Sequence, residues 1–327
     1  MLKNPLLHTQ PRISIITPTF RRPHEVDGLL ANLCGQIVLP IELILIDGTP
    51  DDDQETQKVV HQLKEILPFK LTYIRRGGGT AIQRNVGIDQ AEGDFIAFLD
   101  DDIRLEEDFF AAIIAVFEKD VGMEVGGVVG YIINQYLDPN TSPRWRWYKR
   151  LKLFTTYEPG RYDFETGYPI NRYLQAPHNS LKSLDFMGSG CTVWRKQVFG
   201  NGLRFADYFR DYGVLEDAHL ALRAGRDWKL LECGSARCTH LKSPGGRDNH
   251  RLVAQRTATN YRYVFIDIVP ERTICQEFRF WRVQFIDLLR FFLAAIRTPK
   301  KSSWLVVLGK IEGILIALRM WDVGKVA

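Results

Sequence analysis

The sequence predicts an α/β protein: a mostly parallel sheet flanked by helices, followed by a helical C-terminal tail. Three observations carry this. In the first third, short apolar runs alternate with segments of helical spacing. One such run, GDFIAFLDDD over Gly93–Asp102, ends in three consecutive carboxylates. A strand buried on both faces reads this way, and in an open α/β sheet ligands bind beyond the carboxyl ends of the strands. After about Arg247 the pattern is helical to the end.

The strands are expected at Ile13–Thr17 (ISIIT), Glu42–Asp47 (ELILID), Leu71–Ile74 and Phe95–Asp100, and the helices at Glu25–Leu33, Gln54–Leu67, Ala81–Gln90 and Glu106–Glu118. The Gly-rich apolar stretch Val125–Ile133 continues the sheet. From Asn134 to Lys182 the texture turns to Pro, Arg and aromatics, over a length too great for an ordinary connection. It is read as a functional or partner-facing excursion. Its segment Arg144–Arg150 (RWRWYKR) offers stacking and phosphate contacts for an acceptor, part of a membrane face, or only a solvated basic loop. No nucleic-acid module surrounds it. Order returns with a strand at Phe186–Trp194 and a short helix at Glu216–Arg223.

The tail is distinctive. Residues 271–327 hold ten Lys or Arg against five acids, and Phe278–Ile296 and Trp304–Trp321 are rich in Leu, Ile, Phe and Trp. The second stretch is long enough to span a bilayer, but Lys310 and Glu312 sit near its middle, where charge is costly. An in-plane amphipathic helix suits it better, giving contact with a membrane surface as one expectation. A helical hairpin packed on the protein, or on a second copy in a homo-oligomer, is the other.

Length and composition set outer bounds. At 327 residues the chain has room for a sizeable core in one large or two small domains. Hydrophobic content of 45% and charge of 25% are ordinary for a globular protein, and a net charge of +4 says little for nucleic acid. Five scattered cysteines, with only Cys233 and Cys238 close, read as reduced thiols of a cytosolic protein rather than a zinc site. The opening MLKNPLLHTQPR lacks the continuous apolar core of a signal peptide.

Asp100, Asp101 and Asp102 repel one another unless something positive lies among them. A hard divalent cation, Mn²⁺ or Mg²⁺, favours such oxygens and keeps coordination sites for phosphate. A solvated acidic turn capping Arg104 or the next helix is the alternative. Gly77–Gly87 (GGGTAIQRNVG) follows a strand and opens a helix, so its backbone can approach an anion closely, and Arg84 and Asn85 reach a phosphate or the acidic cluster. The passage is neither the G-x-G-x-x-G fingerprint nor a Walker loop.

The blocks IITPTFRR (15–22), ELILIDG (42–48), AIQRNVGIDQAEGDFIAFLDDD (81–102), FMGSGCTVWRKQVF (186–199) and LEDAHLALRAG (215–225) together resemble glycosyltransferase family 2, over roughly residues 12–240. The resemblance implies a GT-A-type fold, with a nucleotide-sugar-binding half at 12–133, an acceptor-binding half at 134–265 and an amphipathic tail at 266–327. It implies an inverting transfer from a nucleotide-diphosphate sugar to a hydroxyl acceptor, glycan or lipid-linked, as in polysaccharide biosynthesis. Peripheral location at the cytoplasmic, inner face of the cell membrane is the matching expectation.

Position by position, Pro18 and Thr19 would line the nucleotide pocket and Asp47 would lie beside the base. Arg84 would order the nucleotide-binding loop, Asp100 and Asp101 would face ribose and diphosphate, and Asp102 would ligate the metal. Asp217, with Glu216 beside it, matches the family's general base; a first-turn helix acid is the alternative. His240 stands where some relatives place a third metal contact; a hydrogen-bonded surface histidine is the alternative. One departure is Gly48, where relatives carry a second acid, although Asp51–Asp53 lie close by. Two other classes remain: a sugar nucleotidyltransferase, which would want a Gly-rich basic loop where TPTFRRPHE stands, and a non-catalytic sugar-nucleotide or membrane scaffold.

Overall fold

A computed structural model describes residues 11–211, 213–243 and 249–321. The first ten residues, on which most of the signal-peptide reading falls, and the last six of the tail lie outside the described residues. In chain order the elements begin β1 (Ile13–Thr19), α1 (Pro23–Cys34), β2 (Glu42–Asp47), α2 (Glu55–Leu63), β3 (Lys70–Arg75), α3 (Gly79–Gln90) and β4 (Phe95–Leu99). Next come β5 (Ile103–Leu105), α4 (Phe109–Lys119), β6 (Val125–Ile132), α5 (Pro143–Arg150), β7 (Tyr162–Asp163), β8 (Tyr168–Pro169) and β9 (Leu181–Leu184). The rest are β10 (Cys191–Arg195), α6 (Glu216–Ala224), β11 (Lys229–His240), α7 (His250–Ile268), α8 (Ile274–Arg297) and α9 (Lys301–Ala317).

Among the described residues the main sheet has nine strands, in the order β3-β2-β1-β4-β10-β6-β11-β5, with β9 paired to β11. The run β3-β2-β1-β4 is parallel, while β10 enters antiparallel between β4 and β6. Because β6 and β11 again run parallel to the first four, six strands share one direction and β10, β5 and β9 oppose it. Every residue of β1, β2, β6 and β10 is buried, which explains why apolar runs rather than alternation marked these strands. The strand expected at Phe186–Trp194 starts only at Cys191, since residues 186–190 form the loop that approaches the acidic cluster.

Local signals place the helices. Pro23 sits at the first position of α1, where its missing N–H costs nothing, and Thr273 and Gln276 form a capping box at the start of α8. Helix α3 starts at Gly79, whose φ of +85° favours glycine and whose added Cβ would lie 2.8 Å from the backbone of Asp211.

The basic aromatic stretch is not a solvated loop. It forms α5, with Trp145 and Tyr148 buried in a second core beside Phe154, Tyr168, Ile170 and Val283 of α8. These two rings are therefore not free to stack on an acceptor. The tail helices pack back onto the molecule: Gly309 and Gly313, four apart on α9, let its backbone touch that of α7. Lys310 is buried and paired with Asp287 of α8 at 2.7 Å, and Glu312 pairs with Arg251 of α7. No helix among the described residues is long and apolar enough to cross a membrane. All five cysteines are free thiols.

Candidate active site

The carboxyl ends of β1, β2 and β4 place Thr19, Asp47 and Asp100–Asp102 along one edge of the sheet, Thr19 in register with Asp47. The three consecutive aspartates then part company. Asp100, the most open, accepts from Arg84 Nη2 at 2.8 Å. Asp101 is buried and accepts from Thr19 Oγ1 at 2.7 Å and Arg22 Nη1 at 2.8 Å. Burial pushes its carboxyl up to about 6, against the pull of Arg22 and Thr19. Asp101 therefore does not open toward a ligand as expected; it holds Thr19 and Arg22 in place.

Asp102 turns the other way. Its Oδ2 accepts from the Ser243 backbone N–H at 3.0 Å, and its Oδ1 lies 3.2 Å from His240 Nε2. Burial works to raise the Asp102 carboxyl, but His240, Ser243 and Arg22 together hold it below the ordinary range, while contact with Asp102 raises the imidazole. A register shift in β11 between Cys233 and Arg237 precedes the run that brings His240 opposite Ile103. The other ring nitrogen of His240 meets the Gln135 side chain, and Asn134 brackets the His240 backbone with two hydrogen bonds of 2.8 and 3.1 Å.

No group of three or more His, Cys, Asp or Glu among the described residues is placed to hold a metal ion. The expected three-aspartate cage is thus not formed; three side chains in a row on a turn point in different directions. What remains is a carboxylate and an imidazole in contact. The carboxylate suits Mn²⁺ or Mg²⁺, and the pair would supply two of the ligands such an ion needs.

Across the cleft, α6 begins Glu216-Asp217 directly after Leu215, a non-glycine residue held at φ 70°. Such a conformation costs of order 1–3 kcal/mol and persists only where surroundings impose it. Arg84, buried in α3, donates to Asp100 with one amino group and approaches Glu216 Oε1 at 3.4 Å with the other. One guanidinium thereby joins the acidic strand end to the E-D pair. Glu216 is pushed up to about 7 by burial and by Asp217 beside it, against Arg84. Burial also raises Asp217, which is more open than Glu216 and accepts from the backbone N–H groups of Ala218 at 2.7 Å and Ser189 at 3.3 Å.

Asp47 accepts from Thr49 N–H and Tyr73 O–H, both at 2.8 Å, and Pro18 lies within buried β1. Gly48 has a structural reason: a Cβ there would meet the Gln83 amide at 3.1 Å, and Gln83 uses that amide to tie Thr19 and Ile46 carbonyls together. Sequence reasoning missed Arg22, Ser243, Gln135 and Asn134. Arg22 lay inside a quoted block without a role, while the other three carry no signal apart from the fold.

Residues 14–175 match the family model Glycosyl transferase family 2. Among curated proteins, the chain is 29% identical over 98 residues to poly(ribitol-phosphate) beta-N-acetylglucosaminyltransferase TarP of Staphylococcus aureus, 29% of this chain and 30% of that protein. It is 27% identical over 183 residues to succinoglycan biosynthesis protein ExoM of Rhizobium meliloti, 55% of each. The matched stretches thus take in well under two thirds of these relatives' lengths. Among solved structures, the mannosyltransferase PcManGT of Pyrobaculum calidifontis, in complex with GDP-Man and Mn²⁺, aligns at a TM-score of 0.58 and 14% identity, covering 95% of this chain and 88% of that one. GalNAc-T7 with UDP, GalNAc and Mn²⁺ aligns at 0.59 and 13%, covering 84% and 51%. At these identities the likeness is one of fold, the GT-A-like arrangement of sheet and helices. The resemblance drawn from the sequence is thus borne out over residues 14–175, just under half of the chain, as a Glycosyl transferase family 2 domain.

Proposed function

We propose that the chain is a metal-dependent, inverting glycosyltransferase that moves a sugar from a nucleotide-diphosphate donor to a hydroxyl acceptor. The observation that carries this reading is the Arg84 bridge, which sets a buried acid pair with raised proton affinity facing the acidic end of β4. Residues 12–133 hold the nucleotide, 134–265 complete the site on the acceptor side, and 266–327 form the tail. Pro18, Thr19 and Asp47 line the nucleotide pocket; Arg84 and Asp100 order the diphosphate side, with Asp101 acting through Thr19 and Arg22. Asp102 and His240 hold Mn²⁺ or Mg²⁺, which when bound neutralises charge on the departing diphosphate.

Asp217 is the general base. The acceptor oxygen attacks the anomeric carbon while its proton passes to an Asp217 carboxylate oxygen. The bond from that carbon to the diphosphate oxygen breaks, and its electron pair leaves with the nucleoside diphosphate. Attack opposite the leaving group inverts the centre. Glu216 keeps the proton affinity of the pair high, and Arg84 anchors Glu216 to the strand end that carries Asp100. Relatives named for poly(ribitol phosphate) and succinoglycan support a polymer acceptor.

Incubation with UDP- and GDP-sugars is expected to release nucleoside diphosphate in Mn²⁺ and to stop in EDTA. A nucleotidyltransferase would instead need added pyrophosphate and return nucleoside triphosphate with sugar 1-phosphate, and no turnover under either condition would leave a scaffold.

The same reading sets the protein on the inner, cytoplasmic face of a membrane. The support is an apolar face on two adjacent helices that no described residue covers. Phe278, Phe285, Leu289, Phe292 and Ile296 of α8 are exposed at helical spacing, as are Trp304, Leu308, Ile311 and Leu315 of α9. Phe292 and Trp304 meet edge to face at 5.9 Å, joining the two stripes. Exposed Arg297, Lys300 and Lys301 crowd the turn between them, as an anionic surface would favour. Wild-type protein is expected to sediment with phosphatidylglycerol-containing vesicles at low salt, and the Leu289→Glu/Leu308→Glu variant to stay in solution. Equal sedimentation of both would rule the face out as the membrane contact and leave it to a second copy, read by ultracentrifugation.

A further inference from the structure

A cleft of about 350 Å³ opens between α5, α7, α8 and α9 and shares no residue with the active site. Its charged lining is Arg144, Arg290, Lys310 and one carboxylate, Asp287, with His250 at the exposed start of α7. That single carboxylate already serves two cations: Lys310 Nζ lies 2.7 Å from Oδ2 and Arg290 Nη2 lies 2.8 Å from Oδ1, which also accepts from Tyr148 at 2.9 Å. Burial works to raise the Asp287 carboxyl, but Lys310 and Arg290 outweigh it and hold the group well below the ordinary range.

Arg144 feels the charge of Asp287 but makes no direct ion pair with it. Its hydrogen bonds go to the neutral hydroxyls of Tyr148 and Tyr168, and it forms no ion pair among the described residues. With His250 neutral, the lining thus carries a formal surplus of two positive charges. The single carboxylate of the cleft is thus shared among three cations, and the planar fork of Arg144 matches the oxygens of a phosphate. The remaining walls are aromatic and aliphatic, including Tyr261, Phe291, Val253 and Val306, so the cleft also has room for an apolar portion joined to that anion.

We propose that this cleft is a second anion site, taking a phosphate group of charge near −2 between Arg144 and Lys310, away from the diphosphate site. The phosphate is either free or the head of a phosphomonoester lipid, and the site stands independently of the transferase reading. The mechanism makes no use of these side chains, and α5, the element that brings Arg144 to the cleft, is fixed by its own aromatic core.

The test uses the full chain and sodium phosphate, titrated at constant ionic strength against chloride, with the unfolding midpoint as readout. Wild type and Arg146→Gln, which alters an exposed neighbour on α5, are expected to gain stability with phosphate. Arg144→Gln, which leaves no carboxylate orphaned, is expected to weaken the apparent affinity about tenfold or more. Arg144→Lys should recover part of it. Lys310→Gln, which leaves Asp287 paired with Arg290, gives the same reading should Arg144→Gln fail to fold.

Vesicles separate the sources. Those with phosphatidic acid, a monoester, should hold wild type several-fold better than Arg144→Gln, whereas phosphatidylglycerol vesicles of matched charge should not distinguish the two. A phosphate response without that lipid difference assigns the site to a free phosphate. No phosphate response in wild type, or an equal one in Arg144→Gln and Lys310→Gln, overturns the proposal and leaves an ion-pair network that only ties α8 to α9.

Discussion

Asp217→Asn is expected to lose about 10²–10⁴-fold in turnover while binding the donor nucleotide as wild type does, because it removes the proton acceptor and leaves the sheet edge untouched. The amide is close in size, and its one oxygen keeps one of the two N–H contacts, that of Ala218 or that of Ser189. Single-turnover transfer beside equilibrium binding of UDP and GDP separates the two effects. Near-normal turnover in the variant would remove Asp217 from the base role.

The pH profile follows from the same pair. Below neutrality the buried pair keeps a proton, since burial and mutual repulsion raise Glu216 to about 7. The rate should therefore climb as pH rises through about 7 and level above it. Glu216→Gln removes one negative neighbour, favouring the ionised form of Asp217, so the rising limb should move to lower pH. A limb that stays in place would show that the pair does not govern the profile.

Asp102→Asn is expected to cost about 10³-fold or more in kcat/KM, about 4 kcal/mol, together with the Mn²⁺-dependent part of nucleotide binding. The physical ground is the division of labour among the three aspartates. Asp100 is committed to Arg84, and Asp101 to Thr19 and Arg22, so neither can replace Asp102 beside His240. Calorimetry of UDP and GDP with and without Mn²⁺ reads the loss directly. Unchanged Mn²⁺-dependent uptake in the variant would detach the cation from this position. Asp101→Asn, by contrast, should act through Thr19 and Arg22 and show itself in stability as well as binding.

Much of this was legible in the chain because buried strands announce themselves by composition. ISIIT, ELILID and FIAFL needed no partner to be recognised, and the helices between them carry ordinary spacing. What local pattern could not supply was direction. DDD at a strand end reads as one acidic cluster, yet consecutive side chains on a turn diverge, and only the partners brought by β1, α3 and β11 decide where each goes. The stretch RWRWYKR misled for a related reason: its charges are conspicuous in sequence, while the burial of Trp145 and Tyr148 depends on α8, more than a hundred residues away. The tail was ambiguous because both its readings draw on the same residues: Lys310 is satisfied from within by Asp287, and the outer stripe is satisfied by nothing described.

The antiparallel β10 sits between β4 and β6 in the middle of the main sheet. Everything through residue 133 is synthesised before that strand exists, so the nascent chain carries β4 with one edge open and β6 with both, since β11 also comes later, and the whole excursion is still to come. A fragment cut there would be a sticky half-sheet rather than a free-standing nucleotide-binding module. Any attempt to swap donor-side and acceptor-side pieces between relatives must carry β10 along with its flanking strands, or the hybrid will be stitched through its own centre.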